Sequence, residues 1–131
     1  DILIRRSDFH RGRLALEATG FIYQEITGID CFLDGPDSGP RDAIHIVYAA
    51  EKVKPEHIGP AADLDQVERG EGFDVIPLEA LVRMKLNSFR RKDQVHLLDM
   101  LAVGLIDESW TPRLGKAHAA RLQQLIDDPE G

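Results

Sequence analysis

The sequence predicts an α+β domain, in which a mixed β-sheet packs against helices and a helical portion completes the chain. Three observations carry this. Short apolar runs rich in β-branched residues cluster before residue 77. Apolar residues at helical spacing dominate after Pro77. Turn-forming clusters of Gly, Pro and Asp punctuate the first part. Strand, helix, several strands and then three helices is an α+β order of elements. The length of 131 residues fits one domain, with a sheet-rich part over 1–76 and a helical part over 77–131.

Taken in order, Ile2, Leu3 and Ile4 read as a short buried strand. Ser7 offers an N-cap hydroxyl and Asp8 a first-turn negative charge. They open a moderately amphipathic helix that runs to about Ala18, with Gly20 as the glycine just past its end. Phe21 to Tyr23 and Ile29 to Leu33 are expected as two strands joined at Thr27-Gly28. The run Asp34-Gly35-Pro36-Asp37-Ser38-Gly39-Pro40 is expected as an exposed loop, and Ala43 to Ala49 is the most strand-like segment. Residues 51–72 show no steady period and read as an irregular, mostly exposed excursion, with one helical turn near Ala62 to Val67. Phe73 to Ile76 reads as a short strand, and Pro77 as the first residue of a helix running from Leu78 to about Arg90. A second helix is expected from about Lys92 to Val103, stopped by Gly104. Ser109 can cap a short turn through Trp110, and Lys116 to Ile126 forms the last helix.

Composition narrows the class. Hydrophobic residues make up 43% and charged residues 30%, a globular balance. No apolar run approaches the roughly 20 residues of a membrane-spanning helix. One cysteine, Cys31, cannot form an internal disulfide, which fits a reducing cytoplasm, and a cytoplasmic protein is expected. Sixteen Lys plus Arg against 23 Asp plus Glu give a net charge of −7, which argues against broad coating of nucleic acid. The chain opens on Asp1-Ile2-Leu3-Ile4-Arg5 with neither Met nor a signal-peptide pattern, so a preceding element is expected.

The charge is unevenly spread. Ala80 to Lys92 holds Arg83, Lys85, Arg90, Arg91 and Lys92 with no acid, so this stretch carries +5 and the rest −12. A cationic island in an acidic chain can focus anions. Arg90 and Arg91 also suit the C-terminus of a helix dipole. Lys85 is different, because it falls within or beside the stripe Leu78, Leu81, Val82, Leu86, Phe89. It must snorkel, find an anionic partner, or face a phosphate or carboxylate in a cleft. Asp93 with His96, and His96 with Asp99, are i,i+3 pairs that suit acid–base or metal chemistry, while Asp93 can equally cap the second helix. His45 lies on the strand face of Ala43 and Val47, where a core or edge role is the simpler reading. Gly12 and Gly20 do not form a phosphate loop, Cys31 has no zinc-ligand spacing, and no Gly-x-Ser-x-Gly elbow is present.

These residues resemble a known family. Asp1 to Asp8 is similar to the strand and turn that carry the second aspartate of a D-x-D pair in minimal nucleotidyltransferases. Leu78 to Arg90 followed by Arg91 to Met100 resembles the helical pattern L-x-x-L-x-x-x-K…R-x-K-D-x-x-D-L of AbiEii-like nucleotidyltransferases, which include toxins of toxin–antitoxin systems. The resemblance implies transfer of a nucleoside monophosphate from an NTP to an RNA or protein acceptor, with Mg²⁺ or Mn²⁺, and an antitoxin partner. It implies Asp1 as a metal ligand, Lys85 as a phosphate-facing base and Asp93 as its helical partner. Arg83, Arg90, Lys92 and His96 are the candidate substrate-binding residues. His45 occupies the position expected for a third carboxylate and is the second candidate metal ligand, although imidazole suits Mg²⁺ poorly. The Gly-Ser motif and first aspartate of the family would precede residue 1, so these 131 residues alone are expected to be inactive. The alternative is a nucleotide- or partner-binding module of the same fold, and a third reading is a structural domain whose basic helix docks a nearby acidic surface.

Overall fold

The computed structural model describes residues 1–130. The fold is α+β, with a mixed four-stranded sheet, a smaller two-stranded hairpin and a helical C-terminal part. Strands β1 (Ile2–Ile4), β2 (Ile22–Ile26), β3 (Ile29–Leu33) and β4 (Ile44–Tyr48) lie in the order β1-β4-β3-β2. β1 runs parallel to β4, with Ile2 opposite Ile46, and the other two pairings are antiparallel. The β2–β3 turn is Thr27-Gly28, with φ of 50° and 79°. Two residues in the left-handed region give the turn that matches the twist of a tight hairpin, so Gly28 is well suited and Thr27 is strained.

Helix α1 (Phe9–Ala18) follows a 3₁₀ turn at Arg6–Asp8 and covers one face of the sheet. Phe9 packs among Tyr23, Phe32 and Tyr48, with ring centroids 5.9, 6.4 and 6.0 Å away. On the same face the Asp30 carboxylate accepts from Tyr23 Oη at 2.7 Å and Tyr48 Oη at 2.6 Å. Burial and that carboxylate push the Tyr48 hydroxyl above the ordinary phenol value. Side chains alternate along a strand, so His45 and Val47 project from the opposite face. Ser7 does not cap α1: it lies inside the 3₁₀ turn, and no side chain caps this helix.

Residues 51–67 are irregular, as their lack of period implies, but they are not a free excursion. Ala50 N–H donates to Ala62 O at 3.0 Å, Ala61 N–H to Glu51 O at 2.8 Å, and Ala61 is buried. The turn near Leu64 is not helical, and the segment ends in strand β5 (Glu68–Arg69), which pairs with β6 (Asp74–Val75). Periodicity could not find β5, because two exposed residues carry no pattern.

The helical part holds α2 (Leu78–Ser88), α3 (Arg91–Ala102), a 3₁₀ turn at Glu108–Arg113 and α4 (Lys116–Asp127). Pro77 is the extended N-cap of α2 rather than its first helical residue, a shift of one position. Asp107, not Ser109, caps the 3₁₀ turn, accepting the Ser109 N–H at 2.9 Å. The apolar stripes of these helices meet in one core of Val82, Leu86, Leu97, Ile106, Leu114, Leu122 and Leu125. The last turn of α2 is satisfied from α4, since Arg121 donates to the carbonyls of Leu86 and Asn87. Asn87 then joins the helices to the irregular loop. Its Nδ2 donates to Pro60 O at 2.7 Å, its Oδ1 lies 2.7 Å from His118 Nε2, and Ile58 N–H reaches its backbone carbonyl at 3.4 Å. Gly59 is required at this contact, because a Cβ there would sit 2.8 Å from Asn87 Oδ1.

Leu86 is fully buried at the centre of the helical core. Leu86→Ala is expected to cost about 2–5 kcal/mol, read as a lower denaturant midpoint with an unchanged slope.

Candidate functional site

The corner between α2 and α3 is built around one carboxylate. Phe89, in the left-handed conformation at φ 50° and ψ 30°, ends α2 and closes it with an N–H to Lys85 O at 2.8 Å. Arg90 is the extended N-cap of α3 and Asp93 its third residue. The Asp93 side chain accepts from Ser88 Oγ at 2.7 Å, from the Arg90 backbone N–H at 3.2 Å and from Arg90 Nε at 2.7 Å. This is the carboxylate half of a capping box, with the last residue of the preceding helix added. The Asp93 side chain is 5% exposed, and burial alone would push its acid dissociation up. The Arg90 and Ser88 hydrogen bonds outweigh burial and hold it below the ordinary value.

Lys85 reaches this corner from one turn back on α2. Its ammonium donates to His96 Nδ1 at 2.7 Å and lies 4.0 Å from Asp93 Oδ1. A lysine ammonium has donors only, so His96 Nδ1 is the acceptor of this contact. The Lys85 side chain is 16% exposed, and burial lowers its proton affinity below the ordinary lysine value. Asp93 opposes that shift, while Arg90 and Lys92 add to it.

A cleft of about 290 Å³ opens between this corner and the sheet. The sheet contributes Asp1, Ile29, His45 and Val47; α2 contributes Leu81, Met84, Lys85 and Ser88. The corner adds Arg90, Lys92 and Asp93, and the irregular loop adds Val53, Lys54, His57 and Ala61. Four cationic side chains thus face two carboxylates over an apolar floor, within a chain of net charge −7. The arrangement can hold a polyanion that also presents an apolar or planar portion.

Of the residues singled out in the sequence, six converge here: Asp1, His45, Lys85, Arg90, Lys92 and Asp93. His96 touches Lys85 from the outer flank, in a shallow depression with Asp99 and Met100. It is not oriented by Asp93, whose hydrogen bonds go to Ser88 and Arg90. Arg83 is placed elsewhere, bonded to Glu79 at 2.8 Å and to Arg113 O at 3.0 Å, and lines a separate depression with Asp63 and Asp65. Glu79 lies just before the stretch whose charge was counted, and it neutralises the first base of that stretch. Lys54, His57 and Ser88 also line the cleft; nothing in the spacing of the irregular loop marks Lys54 and His57 as part of its wall, and Ser88, at the end of α2, stands outside the apolar stripe that carries the helix signal. Comparison with family models, curated proteins and solved structures finds no match to this chain.

The metal implied by the resemblance can be tested against the donors present. Asp1 Oδ1 lies 3.4 Å from His45 Nδ1, and the Asp1 side chain is largely exposed. Asp93 is committed to Ser88 and Arg90, and no group of three His, Cys, Asp or Glu is placed to hold a metal among the described residues. Mg²⁺ demands near-octahedral oxygen ligation, and one carboxylate beside one imidazole does not fit it.

Asp93 also ties stability to pH. A carboxylate held below its unfolded value of about 3.9 contributes stability that is present above that pH and lost as pH falls through the folded value. Asp93→Asn is expected to lose roughly 1–3 kcal/mol at pH 7 and to show a shallower loss between about pH 5 and pH 2, measured by denaturant unfolding at each pH.

Proposed function

We propose that the chain is a nucleotidyltransferase-like domain whose cleft binds the phosphates of a nucleoside triphosphate. One observation supports this most: Lys85, Arg90 and Lys92 from the helical part and Lys54 from the loop converge over an apolar floor beside Asp1 and His45. Those are largely the residues that the resemblance to AbiEii-like nucleotidyltransferases brings forward, and they come from four separate stretches of chain. Phosphate oxygens suit Lys85 in particular. Its ammonium is desolvated, so a charge-assisted bond to phosphate gains more there than on an open surface. The apolar side chains Ile29, Val53, Leu81 and Met84 offer a surface for base or sugar.

Transfer of the nucleoside monophosphate to an RNA or protein acceptor is the fuller activity that the resemblance implies. An antitoxin partner belongs to that same implication. A second reading, a nucleotide-binding module of the same fold that transfers nothing, is favoured by the donor set. Asp1 and His45 do not compose a Mg²⁺ site, so no chemical step is assigned to a metal here. No helix among the described residues is long and apolar enough to cross a membrane.

Titration calorimetry with ATP tests the phosphate role directly. Lys85→Ala is expected to weaken ATP binding about tenfold or more, the loss of one charge-assisted hydrogen bond, and equal affinity removes the reading. Labelled NTPs incubated with the chain, Mn²⁺ or Mg²⁺, and pooled RNA and protein test transfer. The chain is expected to bind ATP without transferring label, and label transfer by wild type that is lost in Asp1→Asn overturns the conclusion that Asp1 is no metal ligand.

A further inference from the structure

We propose that His57 is a ligand-contacting residue of the cleft, donating a hydrogen bond from a protonated ring to a phosphate held opposite it by Arg90. The inference rests on the nucleotide reading above and deepens it by adding the loop as a second, pH-sensitive wall.

Three observations carry it. His57 lines the cleft and is half-buried, yet its ring makes no hydrogen bond to any described residue. His118, the other half-buried histidine on the helical side, is engaged by Asn87 at 2.7 Å. The ring of His57 is also presented by fixed backbone. The His57 backbone N–H donates to Lys54 O at 3.1 Å, and the next residues are tied to α2 through Ile58 N–H and the Asn87–Pro60 bond. Finally, cationic neighbours face it from two elements: Lys54 on its own loop and Arg90 at the helix corner.

The charge balance around the ring sets the sign. Burial lowers the proton affinity of His57 below the ordinary histidine value, and Arg90 and Lys54 push the same way. Glu56 on the loop and Asp93 on α3 oppose this. Lys85 and Lys92 on the helices, with Asp1 and His45 on the sheet, complete the charged and titratable groups around the cleft. Without ligand the neutral ring is therefore the favoured form at pH 7. A bound phosphate adds negative charge beside it and raises its proton affinity, so a fraction of a proton is taken up from solvent on binding near neutral pH. Binding then strengthens as pH falls from neutrality, and no covalent bond is made or broken.

The test uses inorganic tripolyphosphate and ATP on the whole chain. Affinities are measured at pH 8 and pH 6 for wild type and His57→Gln, so that titration of the ligand itself cancels between the two proteins. Between those pH values the wild type is expected to gain about two- to fivefold over the variant. Histidine ring spectra of wild type, where the sequence has 5 His, give a readout that does not depend on the variant's stability. The His57 resonance is expected to titrate at higher pH in the tripolyphosphate complex than in the free chain. Parallel pH profiles with an unmoved His57 titration overturn the inference while leaving the nucleotide reading intact if Lys85→Ala still weakens ATP. Absence of ATP and tripolyphosphate binding to wild type at both pH values overturns both.

Discussion

A carboxylate buried at a helix corner has to satisfy its lone pairs, and Asp93 does so with the residues that make the corner. Ser88 closes α2, Arg90 opens α3, and both donate to the same side chain. Removing the carboxylate would leave Phe89 in a left-handed conformation without its clamp and the N-cap N–H of α3 without a partner. The position of Arg90 at the mouth of the cleft follows from this bond, and so does the charge that Lys85 meets at 4.0 Å. Bringing a desolvated lysine near a positive corner would be costly without Asp93 between them.

The second constraint joins the two halves of the chain. The sheet and the helical core each bury their own apolar residues: an aromatic cluster under α1, and the Leu-rich core between α2, α3 and α4. What crosses between them is the irregular loop, folded back on the residues just after β4 through the Ala50–Ala62 and Ala61–Glu51 bonds and held to α2 through Asn87. An irregular segment must place its backbone polar groups somewhere, and here they go to the residues just after β4 and to α2. The loop therefore serves as the third wall of the cleft, and Gly59 keeps it close enough to Asn87 to do so.

Electrostatics at the cleft are local rather than global. The chain carries −7, yet the bases are distributed so that Arg83 is neutralised by Glu79 and Arg90 by Asp93. Arg91 and Lys92 form no ion pair within the described residues. A phosphate entering the cleft would meet Lys54, Lys85, Arg90 and Lys92 against two carboxylates, one of them already paired.

Much of the fold was legible in the residues themselves. Apolar periodicity located α2, α3 and α4, alternation and β-branching located β1 to β4, and Thr27-Gly28 located the hairpin turn. Those signals are local, set by which face of a helix or strand must be buried. Lys85 stood out for the same reason, as a cation at an apolar stripe. Pairing, by contrast, is a property of distance across the chain. Only the tertiary structure decided that Lys85 meets His96, that Arg83 turns to Glu79, and that Asp93 caps rather than orients a histidine. Only it brought Lys54 and His57 to face residues from strand, helix and corner, because loop position is fixed by backbone hydrogen bonds to distant partners, and such bonds leave no period in the sequence.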